Sequence, residues 1–187
     1  MYLQRTLKKE INCASIGLHT GRKVNMTIRP AAADTGVIFI RRDLPDAAPI
    51  PADFRIVSDT TLATTLGHDD VTVSTVEHLL SAFSGMGLDN AIVELDSFEV
   101  PIMDGSALPF VNLLKKVGTR TQGETKRMLV VKKPVVVEEG EGRAMLLPSD
   151  EFKITCDIDF RHKAIGPQSY SLVFSDKNYE EQICSAR

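Results

Sequence analysis

Two adjacent side chains able to share a proton, Glu77 and His78, sit inside the stretch Ser74-Thr75-Val76-Glu77-His78-Leu79-Leu80-Ser81-Ala82-Phe83. A neutral imidazole offers a lone pair to a metal ion. A carboxylate beside it can take a proton from metal-bound water without binding the ion itself. The stretch reads as an amphipathic helix, because Val76, Leu79, Leu80 and Phe83 recur at i, i+3, i+4 and i+7 and form one apolar face. Glu77, His78 and Ser81 then lie on the opposite face, with the acid and the imidazole both in the first turn. There both side chains stand at the positive end of the helix dipole. The same residues have a second reading. Ser74-x-x-Glu77 fits a capping box, in which Glu77 only returns to the Ser74 N–H, and a histidine on a polar helix face can be simply solvated. Zinc motifs carry at least two ligands at fixed spacing, so the dipeptide alone leaves both readings open.

The elements that must position this pair are mostly strands. Val71 and Val73 end an alternating run just before the helix, and Gly85 and Gly87 supply stop signals after it. Upstream, a strand from Ile11 runs into the turn Gly17-Leu18-His19-Thr20-Gly21. Val24 to Ile28 and Gly36 to Ile40 read as two further strands. Prolines 45, 49 and 51 make the following stretch a loop, and Thr60 to Leu66 reads as a Thr-rich strand. Gly67-His68-Asp69-Asp70 places metal-type side chains together, but a glycine followed by polar residues between two strands is a hairpin turn, and no function is assigned to it. Asn90 to Leu95 is a strand, Pro101 to Ser106 a bend, and Ala107 to Val117 a second helix with Pro109 in its first turn and Val111, Leu114 and Val117 on its buried face. Helices on one face of a mostly antiparallel sheet give an α+β fold.

The polar stretch Gly118 to Lys126 marks a boundary, which divides the chain into a first α+β domain over 1–120, carrying the Glu-His helix, and a second over 121–187. In the second, Met128 to Val131, Val135 to Glu138, Arg143 to Leu147, Phe152 to Phe160 and Ser169 to Phe174 read as strands. A last helix starts near Asp176 or Asn178 and runs to Arg187 with no stop signal. This domain reads as incomplete, since the apolar side with Leu129, Val131, Val135 and Val137 is left without cover.

Composition narrows the class. The chain has 187 residues, 43% of them hydrophobic, and a net charge of -3 from 22 basic and 25 acidic side chains, with no basic cluster to receive a nucleic acid. Cys13, Cys156 and Cys184 are scattered with no Cys-x-x-Cys pair, the usage of a reduced cytoplasmic protein. No run is long enough to span a bilayer, and none at the N-terminus resembles a signal peptide.

Taken together and in order, Gly17-Leu18-His19-Thr20-Gly21, Thr75-Val76-Glu77-His78-Leu79 and Val100-Pro101-Ile102-Met103-Asp104-Gly105-Ser106 closely resemble the UDP-3-O-acyl-N-acetylglucosamine deacetylase family, zinc enzymes of lipid A synthesis. The resemblance covers Arg5 to Arg187. It implies two domains, each a mostly antiparallel sheet packed with helices, with the active site in the cleft between them. It also implies His78 as a zinc ligand and Glu77 as general base, with His19 and Thr61, Leu62 and Ala63 near a UDP-linked acylated amino sugar. Asp159 and Phe160 match the stretch that holds the uracil. Read from the residues alone, Phe160 is more readily a core aromatic at a strand end, and Asp159 is the better placed of the two for exposure.

Departures from the family pattern are Ser15 in place of a glycine and His162-Lys163 in place of His-Pro. The larger one follows Ser185-Ala186-Arg187, where the family continues into the segments that complete its zinc site. A catalytic zinc takes about three protein ligands, and neither spacing nor resemblance joins His19, His68 or His162 to His78. The expectation is therefore a C-terminally truncated, monomeric deacetylase, inactive alone. A different class stands against it: a non-catalytic module that binds a nucleotide sugar or another protein.

Overall fold

The computed structural model describes residues 2–68, 70–160, 162 and 164–187. The fourteen strands and three α-helices described form an α+β protein whose strand pairs are antiparallel except for one ladder. By its internal contacts the chain divides into two compact units, Met1–Lys126 with Glu180–Arg187, and Arg127–Tyr179.

The first unit is built on a five-stranded sheet. β1 (Leu3–Leu7), β2 (Ile11–Ile16), β3 (Lys23–Pro30), β4 (Val37–Arg41) and β5 (Ile50–Pro51) come first in the chain. β6 (Val57–Asp59), β7 (Thr65–His68) and β8 (Val71–Val73) follow, and then α1 (Glu77–Gly85), β9 (Ala91–Leu95), α2 (Leu108–Val117) and β10 (Thr119–Thr125). The sheet order is β2-β3-β9-β4-β5, with β4 and β9 parallel. Alternation decides which side is core: Val24, Met26 and Ile28 on β3 and Ala91, Val93 and Leu95 on β9 are buried, and the residues between them are not. Leu79, Ala82 and Phe83 of α1 and Phe110, Val111 and Leu114 of α2 are buried as well. Leu80 and Val117, expected on the buried faces, are only half-buried, whereas Ala82 and Phe110 are buried.

Several expected elements are corrected. The helix starts at Glu77, not Ser74, and its N-cap is Val76 with no side-chain cap. The polar stretch 118–126, to which the sequence assigns no element, contains β10, which pairs antiparallel with β1, Arg5 opposite Thr121 and Leu7 opposite Thr119. Ile50–Pro51 forms a short edge strand inside the proline-rich loop, pairing Phe39 with Ile50. The Thr-rich strand begins only at Thr65, because residues 61–63 are a bend in which the Thr61 N–H and hydroxyl both donate to Asp59 Oδ1, at 3.0 and 2.7 Å. The hairpin β7–β8 forms as read, with His68 opposite Val71. Asp69 lies outside the described residues.

The second unit holds two separate antiparallel ladders. β11 (Val135–Glu139) pairs with β12 (Gly142–Leu146), and β13 (Lys153–Phe160) pairs with β14 (Gly166–Val173). Met128–Val131 forms no strand. Consecutive strand residues point to opposite faces, yet Val135, Val136 and Val137 are all exposed, so neither face of that ladder is covered among the described residues. The final helix, α3 (Asp176–Gln182), stops five residues before the end of the chain instead of running to it, and a turn follows.

Candidate functional site

The residues singled out around the Glu-His pair converge within the first unit. α1 opens with Glu77 and His78, both half-buried. The capping box does not form. Instead, one Glu77 oxygen, Oε2, accepts the Thr64 N–H at 3.0 Å, and the Thr64 carbonyl accepts the Val76 N–H. A carboxylate has about four lone-pair sites, so this bond fixes the group and leaves acceptor capacity for a proton. It also fastens the bend Thr61-Leu62-Ala63 beside the helix start. Thr61 and Leu62 are exposed there and Ala63 is half-buried. Ser74, freed from capping, is buried and shares a 2.9 Å hydrogen bond with the Thr65 hydroxyl.

Thr75 carries the turn into the helix at φ 59°. A β-branched residue is an outlier in that region and costs about 1–3 kcal/mol unless its surroundings hold it there. What holds it is Glu99. This carboxylate is fully buried, and the Thr75 hydroxyl donates to its Oε1 at 3.2 Å. The same oxygen accepts the His19 N–H at 3.0 Å, while Oε2 accepts the Thr20 N–H at 3.2 Å and the Thr20 hydroxyl at 3.0 Å. Burial by itself would push the Glu99 carboxyl up. The donors from His19, Thr20 and Thr75 outweigh that and hold it below its ordinary value. The exposed His19 side chain is thus presented from a loop anchored on the residue that also grips the turn ahead of Glu77 and His78.

Asp159 and Phe160 belong to the second unit. Both are exposed at the end of β13, opposite Pro167 and Gly166 of β14. Phe160 is therefore not the core aromatic that its strand position allowed. Asp159 lines an open groove with Glu141, Asp157, Pro167 and Gln168.

Sequence reading missed Glu99. It lies between Phe98 and Val100, directly before the third motif, where a single charged residue reads as solvated. Among the described residues no group of three or more His, Cys, Asp or Glu side chains could hold a metal ion, so those residues do not by themselves fit a catalytic zinc. Among the same residues no helix is long and apolar enough to cross a membrane.

The chain is similar to UDP-3-O-acyl-N-acetylglucosamine deacetylase of Syntrophus aciditrophicus (strain SB), 59% identical over 187 residues, which is 100% of this chain and 59% of that protein. The enzymes of the same name from Myxococcus xanthus (strain DK1622) and Teredinibacter turnerae (strain ATCC 39867 / T7901) are each 49% identical, again over 100% of this chain and over 59% and 62% of their own lengths. The chain thus spans about 60% of the length of the curated relatives it matches. A family model described as UDP-3-O-acyl N-acetylglycosamine deacetylase matches residues 4–187, and the chain belongs to that family.

Proposed function

We propose that the chain is the part of a deacetylase that carries the general base and one metal ligand for hydrolysis of the acetamide of UDP-3-O-acyl-N-acetylglucosamine, an early committed step of lipid A synthesis. The observation that carries this reading is Glu77 with one oxygen fixed by Thr64 and His78 beside it in the first helical turn, in a chain of this family. Glu77 takes a proton from the water that attacks the acetamide carbonyl. The carbon–nitrogen bond then breaks as the proton held by Glu77 passes to the leaving nitrogen, and acetate and the free amino sugar result. His78 would contribute one ligand to a zinc ion, which would supply Lewis acidity when bound. The remaining ligands lie outside these 187 residues, and the isolated chain is inactive. His19 and the bend at Thr61, Leu62 and Ala63 face the acylated sugar. Asp159 offers an acceptor to the uracil N–H, and Phe160 a face for its ring. We assign residues 1–120 and 121–187 to the two domains of that enzyme, acting as a monomer. The three free cysteines suit the cytoplasm.

The test is a chimera in which residues 1–187 replace the matching part of the Syntrophus relative, assayed for acetate release and zinc content beside the isolated chain. Glu77→Gln should keep zinc and lower kcat by about 10²–10⁴-fold, and His78→Ala should lose zinc. Full turnover in Glu77→Gln would remove Glu77 as the base. One tight zinc with turnover in the isolated chain, lost in His78→Ala, would overturn its inactivity.

A further inference from the structure

We propose that Glu99 is a positioning residue that sets the His19 loop and the Glu77-His78 helix start in register with one another. This deepens the deacetylase reading and rests on it for its functional meaning, but its geometry stands on four hydrogen bonds within one unit. Among the described residues, the two carboxylate oxygens gather donors from two places: the His19 N–H and the Thr20 N–H and hydroxyl on one side, and the Thr75 hydroxyl on the other.

The backbone repeats the same bridge around Glu99. The Ser74 N–H donates to the Phe98 carbonyl at 2.7 Å, and the Val100 N–H returns to the Ser74 carbonyl at 3.0 Å. Two residues further on, the Ile102 N–H reaches the Ile16 carbonyl at 2.9 Å, beside the loop. Segment 98–102 is therefore laced to both sides, and the carboxylate sits between the lacings. Gly17 leaves the space for it. A Cβ at that position would stand 2.3 Å from Glu99 Oε2 and 2.4 Å from Thr20 Oγ1.

A neutral isostere cannot reproduce this arrangement. Both oxygens of Glu99 face donors, so a glutamine satisfies one side and turns its amide N–H bonds toward the other. A residue that only filled space would tolerate that exchange. A residue that couples two loops would pass the disturbance from one to the other.

The experiment is ¹⁵N and imidazole NMR of the full 187-residue chain, without metal or substrate, comparing Glu99→Gln, Thr75→Val and Thr75→Ser with the unaltered protein. In Glu99→Gln, amide exchange at His19 and Thr20 should rise by about tenfold or more, and the Thr75, Glu77 and His78 signals should move with it. Those of β3 and β9 should stay in place. Thr75→Val, which removes a hydroxyl on the helix side only, should shift His19 and Thr20, and Thr75→Ser should restore them. The proposal is overturned if Thr75→Val leaves His19 and Thr20 unmoved, if Val and Ser act alike, or if Glu99→Gln shifts the whole spectrum evenly. Should Glu99→Gln fail to fold, the Thr75 pair decides alone. These readouts need neither zinc nor turnover, so they succeed or fail separately from the chimera assay.

Discussion

A carboxylate can be buried only when donors replace the water it loses, and Glu99 finds four of them on residues far away in the chain. The separation between Glu99 and His19 is 80 residues. That distance is why the residue could not be read from sequence: its partners are two backbone N–H groups and two hydroxyls, which carry no spacing signal. The place of Glu77 and His78 in a first helical turn was legible for the opposite reason, because it follows from the local apolar period. The donors also give Glu99 a measurable pH signature. Its folded pKa is lowered from the ordinary 4.5, so its stabilising contribution is fully present above that value and is lost as pH falls through the lower folded pKa. The urea midpoint of the unaltered chain should therefore fall more steeply on acidification than that of Glu99→Gln, the two converging at the acid end. Asp43, Asp59 and Asp104, also held low by their own hydrogen bonds, are common to both proteins and cancel in the difference. Parallel curves would show that the Glu99 hydrogen bonds contribute nothing.

Elements were legible where one face is buried and obscure where none is. β3 and β9 alternate because they cross the core, and their reading from the apolar pattern holds. β10 is Thr-Arg-Thr-Gln-Gly-Glu-Thr in a two-stranded ladder with β1, with most of its residues exposed, so it has no apolar period to read. What places it is Gly118, at φ 73° and ψ 164°, a region essentially reserved for glycine. Its N–H closes α2 on the Leu114 carbonyl, and its own carbonyl accepts the Lys8 N–H after β1. An added Cβ would come no closer than 3.4 Å, to the flexible Lys8 side chain, so the penalty in Gly118→Ala comes from the backbone and not from crowding. We expect a loss of about 1–3 kcal/mol, read as a lower urea midpoint at an unchanged slope. An unchanged midpoint would mean that the corner can take another conformation. The start of α1 moved for a similar reason: Ser74 found the Thr65 hydroxyl, and the turn at Thr75 was set by the buried Glu99.

Across the whole molecule the two units differ in how much of their apolar surface they cover. In the first, large side chains such as Phe39, Phe83 and Phe110 are almost wholly removed from water. In the second, Leu129 is 87% exposed and Val137 63%, and every residue of β11, β12 and β13 is open to solvent. Isolated two-stranded ladders are marginal in water, and amides with few buried neighbours exchange through local opening long before global unfolding. The amides of β11 to β14 should therefore exchange well ahead of those at Val24, Met26 and Ile28. Brief trypsin treatment should cut first at Arg127 or Lys132, in a stretch with no regular element. Equal protection in both units would mean that the ladders are held by something other than their own packing. If the chimera also works, the same exchange measurement on it gives the complementary result: slower exchange in β11 to β14 than in the isolated chain would identify the rest of the enzyme as the missing cover for Val135, Val136 and Val137.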